Sequence, residues 1–340
     1  MLDLSDIWFV LVGVLLTGYA VLDGFDLGAG ALYPFIARGE DEKRVVRASI
    51  GPVWDGNEVW LVAGGGAVFA AFPAVYAMAF SGFYLAIMLV LFGLIVRAVS
   101  LEFRHRDEGW ARLWDFFFFL GSALPALLLG VAVGNVIRGV PLNEVGDYTG
   151  SFLDLLNPFS LLVGLSSLAM FLSHGAAWIA VKAEGALEDR AREWRSVLQA
   201  VFVALVVITS IYGISAVTRH ADNVLERPLG WLAIGVFLAG VGYARWQMQR
   251  PERTLKAFLG SAVSIVALAA IAAIGNWPDI VPARGTPEST SLTVDGASSG
   301  DTTLGVMLII TVIGFPLVLL YTSYLYRTFR GKVKAAPGEY

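Results

Sequence analysis

Cysteine is absent from all 340 residues, which excludes disulfides, thiolate metal sites and iron–sulfur ligation. Histidine is almost as scarce: His105, His174 and His220 are the only three. Charge is short too, at 15% of the chain, where a soluble domain carries about 25%. The net charge of −4 is small, and no basic cluster is large enough to suggest nucleic acid. Neither Gly-x-Gly-x-x-Gly nor a P-loop occurs, and no nucleophile stands with a base in a catalytic arrangement. The first apolar run, from Ile7 to Leu22, follows Asp3 and Asp6 instead of Lys or Arg, so no cleavable signal peptide is expected. What fills the chain is apolar: 57% hydrophobic residues, with a mean hydropathy of +0.69. That composition belongs in a membrane.

A span needs about 20 apolar residues, and nine segments qualify: 7–36, 50–72, 76–96, 114–137, 156–181, 196–218, 229–244, 257–276 and 303–326. Ala71-Phe72-Pro73-Ala74 separates the second from the third. Proline there either kinks one helix or closes a tight turn, and residues 50–96 are too many for one span. The fold class is therefore all-α, a polytopic bundle of nine transmembrane helices.

The basic residues test this count. Four lie in the first connection (Arg38, Lys43, Arg44, Arg47), four in the third (Arg97, Arg104, Arg106, Arg112) and four in the fifth (Lys182, Arg190, Arg192, Arg195). Four more lie in the seventh (Arg245, Arg250, Arg253, Lys256) and four in the tail (Arg327, Arg330, Lys332, Lys334). Only Arg138, Arg219, Arg227 and Arg284 fall in even-numbered connections, so all 24 are assigned and none lies inside a span. The positive-inside rule makes the crowded side cytoplasmic. The N-terminus then faces out, the C-terminus faces in, and the number of spans is odd.

Against this background the intramembrane acids stand out. The second span opens as Gly51-Pro-Val-Trp-Asp-Gly-Asn-Glu-Val-Trp60, which sets Asp55 and Glu58 three apart on one face of a helix begun near Ile50, with Pro52 in its first turn. The first span carries Asp23 and Asp26 at the same spacing. A carboxylate at a membrane-helix centre costs about 2.5–3.5 kcal/mol on insertion scales, so these acids must face protein or water. Gly24 and Gly28, beside them, read as a small-xxx-small packing face. Glu102, at the cytoplasmic end of the third span, is a plausible mouth for a path leading to the other four. His174, inside the fifth span, reads either as an axial ligand or as a histidine satisfied by a neighbouring helix. The shortage of further ligands favours the second. The connection from Asn276 to Thr302 is long enough to cover something or dock a partner.

Asp23-Gly-Phe-Asp-Leu-Gly28, the Gly51–Trp60 run, Phe80-Ser-Gly-Phe-Tyr84, Glu102-Phe-Arg104, Asn157-Pro-Phe159 and His174-Gly-Ala176 together resemble subunit II of cytochrome bd quinol oxidases, as do Ser291-Leu-Thr293 and Ala297-Ser-Ser299. The matches run in order from the first span almost to the last. The resemblance implies two four-helix bundles plus a peripheral helix: 1–137, then 156–276, then 303–326, followed by a cytoplasmic tail at 327–340. It implies a multi-pass protein of the bacterial cytoplasmic (inner) membrane. The expected complex couples oxidation of the quinol pool to reduction of dioxygen to water. Its haem b and haem d groups are expected on subunit I, the pseudo-symmetric partner, often with a very small accessory helix. This subunit is expected to bind no haem or metal and to hold no catalytic residue; in some members it holds a structural quinone. Conduction of cytoplasmic protons is the implied part of acids matching Asp55, Asp26 and Glu102, and Glu58 and Asp23 lie one turn deeper. Two rival readings are a secondary transporter, which would show repeats and broken helices, and a purely structural scaffold, in which amides would replace the acids at little functional cost.

The topology carries a first test. A reporter active only in the cytoplasm should work when fused after Glu339 and be silent when fused near Ser289; the opposite pattern at either site would reject the nine-span reading.

Overall fold

The computed structural model describes residues 3–104, 108–285 and 290–333. His105, Arg106, Ser289, Lys334 and the tail to Glu339 lie outside the described residues. Twelve α-helices are described: α1 (Leu4–Ile36), α2 (Gly39–Ile50), α3 (Trp54–Ala71), α4 (Pro73–Gly82), α5 (Tyr84–Phe103) and α6 (Ala111–Arg138) come first. Then follow α7 (Pro158–Lys182), α8 (Gly185–Ala216), α9 (Thr218–Glu226), α10 (Pro228–Met248), α11 (Thr254–Asn276) and α12 (Asp301–Thr328).

Nine of these are long, and each corresponds to one expected span. Eight are long and apolar enough to cross a membrane by length and composition. The ninth, α3, has 18 residues, and its apolar character is diluted by Asp55, Asn57 and Glu58 in its first turns. The two longest helices, α1 with 33 residues and α8 with 32, measure roughly 50 Å at 1.5 Å per residue, so they overhang a hydrocarbon layer of about 30 Å.

Three short helices change the boundaries. α2 fills most of the first connection, and Pro52 sits in the turn between α2 and α3 instead of inside a span. At Phe72 (φ −134°, ψ 66°) the chain leaves the helical region, and Pro73 starts α4 at the end of the bundle away from most basic residues. The third span accordingly runs Tyr84–Phe103 and not 76–96. That shift corrects the assignment of one basic residue: Arg97 lies inside α5 and is fully buried. Arg195 moves likewise, because α8 begins at Gly185 and encloses it with no exposure.

The long helices pack in a repeated pattern. α1 lies against α3 and α6, and α5 against α6; α7 lies against α8 and α11, and α10 against α11. α12 rests on α1 and α3 and is otherwise almost wholly exposed in this chain. The two groups of four meet where α7 packs against α1 and α6. Backbones touch there: a Cβ added at Gly28 would lie 1.8 Å from the Phe171 carbonyl oxygen, and one at Gly175 would lie 2.3 Å from the Ala29 nitrogen. Phe25 stacks on Trp178 at 4.3 Å between ring centroids, and the Trp178 Nε1–H donates to the Ser49 carbonyl at 3.0 Å, bringing α2 into the same seam.

At the far end, the connection after α11 forms a cover. Asp279–Val281 pairs antiparallel with Leu292–Thr293, and Val140–Pro141 pairs in parallel with Ala283–Arg284. Leu292, Val294 and Ala297 pack with Trp8, Phe72, Met78 and Phe83. Ser299 closes the last turn of α3, its N–H donating to the Ala71 carbonyl at 2.8 Å and its hydroxyl to that of Ala70 at 2.7 Å.

Because Gly28 meets backbone and not a flexible side chain, Gly28→Ala should lower the melting temperature of the assembled protein by the equivalent of about 1–3 kcal/mol. Gly235→Ala, where nothing lies within 4 Å, is the control and should leave it unchanged. Equal melting curves for both variants would contradict the close crossing.

Candidate functional site

The acids of α1 and α3 converge on one arginine. Asp23 and Asp26 share a face of α1 and are both fully buried. Arg97 reaches them from α5: its Nη2 donates to Asp23 Oδ1 at 2.8 Å and to Glu58 Oε1 at 2.5 Å. Asn57, the next residue of α3, donates from Nδ2 to Asp26 Oδ2 at 2.7 Å and to the Leu22 carbonyl at 3.2 Å. Its Oδ1 accepts from the hydroxyl of Tyr326 on α12 at 3.0 Å. Four helices therefore close on one polar knot. Measured along α1 from Ile36, Asp26 is roughly 15 Å and Asp23 roughly 20 Å from the basic end.

The knot is not fully satisfied. Asp23 Oδ2, Asp26 Oδ1, Tyr19 Oη and the Nε and Nη1 of Arg97 are buried without a hydrogen-bond partner among the described residues. Buried polar atoms are nearly always paired, so five such atoms around one cluster leave hydrogen-bonding capacity of the kind that ordered water fills.

A second polar group lies about 10 Å nearer the basic end along α1, where Tyr33 is seven residues beyond Asp26. Asp115 of α6 accepts from the Tyr33 hydroxyl at 2.9 Å, from Lys43 Nζ at 2.7 Å and from Arg104 Nε at 2.7 Å. Arg104 also donates to Glu40 at 2.6 Å, and Arg47 donates to the Tyr33 hydroxyl. Glu42, on the same short helix, pairs with Arg190 of α8. Partial burial would raise the Glu42 carboxyl, but Arg190 and the Arg38 N–H hold it below the ordinary carboxylate range.

The structure separates residues that sequence spacing puts together. Asp55 and Glu58 are one turn apart on α3, yet Asp55 is exposed on this chain while Glu58 keeps 24% side-chain exposure against Arg97. Glu102 is exposed near the end of α5. Asp23, Asp26 and Glu58 are brought together; Asp55 and Glu102 stand outside, toward the basic end. Sequence reasoning missed Arg97, Asn57, Asp115 and Tyr326. Arg97 had a signal, since Leu-Ile-Val-Arg-Ala-Val continues the apolar run on both sides of it; Tyr326, at the end of the last span, had none.

His174 is a packed histidine. Its Nε2 faces the Val21 carbonyl at 3.0 Å, its Nδ1 faces Ser261 Oγ at 2.7 Å, and its ring stacks on Phe258 at 4.5 Å. Nε2 donates to the carbonyl and Nδ1, which carries the lone pair, is engaged by the serine hydroxyl, so this residue does not fit an axial haem ligand. His220 is held by Asn276 at 3.0 Å. No group of three or more His, Cys, Asp or Glu residues suited to a metal ion occurs among the described residues.

Residues 4–329 match the family model described as cytochrome bd terminal oxidase subunit II. The chain is 38% identical to the cytochrome bd-I ubiquinol oxidase subunit 2 of Escherichia coli K12, over 96% of this chain and 94% of that protein. It is 33% identical to the cytochrome bd ubiquinol oxidase subunit 2 of Bacillus subtilis, over 98% of each. Its fold is similar to a chain of the bd oxidase of Geobacillus thermodenitrificans, with a TM-score of 0.81 at 19% identity, covering 96% of this chain and 98% of that one.

Removing one partner of a buried ion pair leaves an uncompensated charge, at a loss of about 3–5 kcal/mol. Arg97→Met should therefore sharply lower the melting temperature and yield of the assembled protein. Asp189→Asn, which touches only an exposed pair on α8 at 3.9 Å, should change stability by less than about 0.5 kcal/mol. An Arg97→Met protein as stable as the parent would mean that the knot carries little of the fold.

Proposed function

The chain belongs to the cytochrome bd terminal oxidase subunit II family, and on that premise we propose that its own part in the oxidase is a proton path leading from the basic end to the Arg97 knot. It is a subunit of a quinol-oxidising, oxygen-reducing membrane complex. Reduction of oxygen consumes protons, and the haems that perform it are assigned to the partner, subunit I. Two features of this chain agree with that division: His174 has both ring nitrogens engaged, and the acids are concentrated on one side of the bundle. The basic end is assigned to the cytoplasm and the N-terminus to the outside. A small single-helix subunit and a structural quinone belong to the same proposal, by family resemblance alone.

The observation that carries the path is the pair of buried, unpartnered carboxylate oxygens, Asp23 Oδ2 and Asp26 Oδ1. Around them the acids are graded in exposure. Asp55 and Glu102 are exposed, Glu58 is partly covered, and Asp26 and Asp23 are fully enclosed. Protons collected at Asp55 or Glu102 would pass to Glu58 and then to Asp23, because both carboxylates lie within hydrogen-bond reach of the same arginine nitrogen. Arg97 stays charged and transfers nothing; it holds the two acids in register. Asn57 orients Asp26 by donating to one oxygen, which leaves the other for exchange.

A scaffold reading makes a different forecast. An amide can still hydrogen-bond, so Asp26→Asn or Asp55→Asn would keep most activity if the acids served only packing. On the path reading, each variant assembles with its full haem complement but loses about 10²-fold or more in quinol-driven oxygen consumption, the lower end of what a positioned proton-transfer group contributes. Haem-complete variants turning over at the parent rate would sink the proposal.

A further inference from the structure

The second group of helices encloses a different polar site, on the other side of His174 from the acids. A small cavity lies between α7, α8, α10 and α11, lined by Ser173, His174, Arg195, Gln199, Ser261 and Ser264 among others. Its volume is about 20 Å³, somewhat more than the roughly 10–15 Å³ that one water requires. Arg195 is fully buried and lines this space. Only Nη1 is used, donating to Gln199 Oε1 at 3.0 Å, and Gln199 is itself fixed by a 2.8 Å bond to the Val241 carbonyl.

Nε and Nη2 of Arg195 have no partner among the described residues. Those two atoms form the side-on edge of the guanidinium, where two N–H groups point in parallel; this edge recognises anions. No carboxylate of the described residues lies within ion-pair distance of Arg195. The charge around it is positive. Arg245 of α10 donates to the carbonyl of the adjacent Ser196 at 3.3 Å, and Arg192, one turn away, donates to the Met248 carbonyl at 3.0 Å and has as its acid Asp189, itself 73% exposed, at 3.9 Å.

We propose that this cavity binds one small monovalent anion, of the chloride class, side-on to Arg195. A buried cation without a counter-charge is strongly unfavourable, and a water molecule in the cavity would satisfy the N–H groups without neutralising the charge. A carboxylate from another subunit cannot reach a residue with no exposed surface. Phosphate and sulfate, with four oxygens around a central atom, are too large for a space little more than one water in size. A halide accepts two parallel N–H bonds at one point, which is what the free edge offers.

The test uses the complete purified oxidase. Chloride or bromide is titrated against gluconate at constant ionic strength while the melting temperature is followed, and crystals grown in bromide are measured for anomalous scattering. A saturable rise of at least about 2 °C with either halide, together with a bromide peak beside the Arg195 side chain, is the expected result. The rise should vanish in Arg195→Met, in which the charge that calls for the anion is gone. Superimposable melting curves in halide and gluconate, no bromide peak at Arg195, or a rise that persists in Arg195→Met would each overturn the assignment. The first two readings need no variant, so failure of Arg195→Met to assemble does not protect the proposal.

Discussion

The double ion pair of Arg97 is the interaction on which the first half of the molecule depends. One nitrogen on α5 holds an acid of α1 and an acid of α3, so three helices whose apolar faces meet around Leu27, Leu61 and Leu94 are also locked in rotation and depth. The geometry also imposes a charge problem. Three carboxylates, Asp23, Asp26 and Glu58, face one guanidinium, and a bare excess of negative charge in an apolar interior is not tolerated. Water at the unpartnered oxygens would solvate that excess without removing it, whereas a proton on one of them would reduce it. A structural clamp with matched charges would have no such remainder.

The same helix-packing pattern occurs twice, but its polar content does not. In the first group three acids surround a cation; in the second, a cation stands with neutral groups and no acid of its own. The seam between them is apolar and aromatic, with Phe25, Trp178 and Phe258 packed around His174. His174 bonds across that seam to the Val21 carbonyl, two residues before Asp23 in sequence. The two polar sites are thus joined through His174 and α1.

How much of this was legible follows from what each residue announces by itself. Asp23 and Asp26 could be placed on one buried face because i, i+3 spacing and the expense of lipid exposure leave no other solution. The long helices were legible because a run of twenty apolar residues has one physical meaning. Arg97 was misplaced for an instructive reason: a basic residue near a span end reads as a boundary marker, and only its acid partners on two other helices turn it into a core residue. The same bias set the start of α8 too late and put Arg195 in a connection. α2, α4 and α9 were missed because short helices lying at the bundle ends leave no spanning signature. Asp55 is the converse case. Its spacing from Glu58 puts both on one side of α3, but a turn of the helix is enough to leave one exposed and the other against Arg97.

The last helix shows why the site needs a peripheral element. α12 buries almost nothing in this chain, and apolar contact alone would hold it weakly. At the far end the Trp8 Nε1–H donates to its Leu304 carbonyl at 3.0 Å, and its other attachments are at the basic end. Tyr326 donates to Asn57, which is the residue that orients Asp26. Two turns of chain later, Lys332 donates to the Ala180 and Ala183 carbonyls, which close the end of α7. Those carbonyls have no partner within their own helix, and a cation placed there satisfies them and complements the helix dipole. α12 is therefore pinned on one side to the Arg97 knot and on the other, through the residues that follow it, to the helix that joins the two halves. Loss of either pin would free Asn57 to turn away from Asp26 without disturbing the Arg97 ion pairs, so the orientation of Asp26 depends on a helix that contributes no acid to the site.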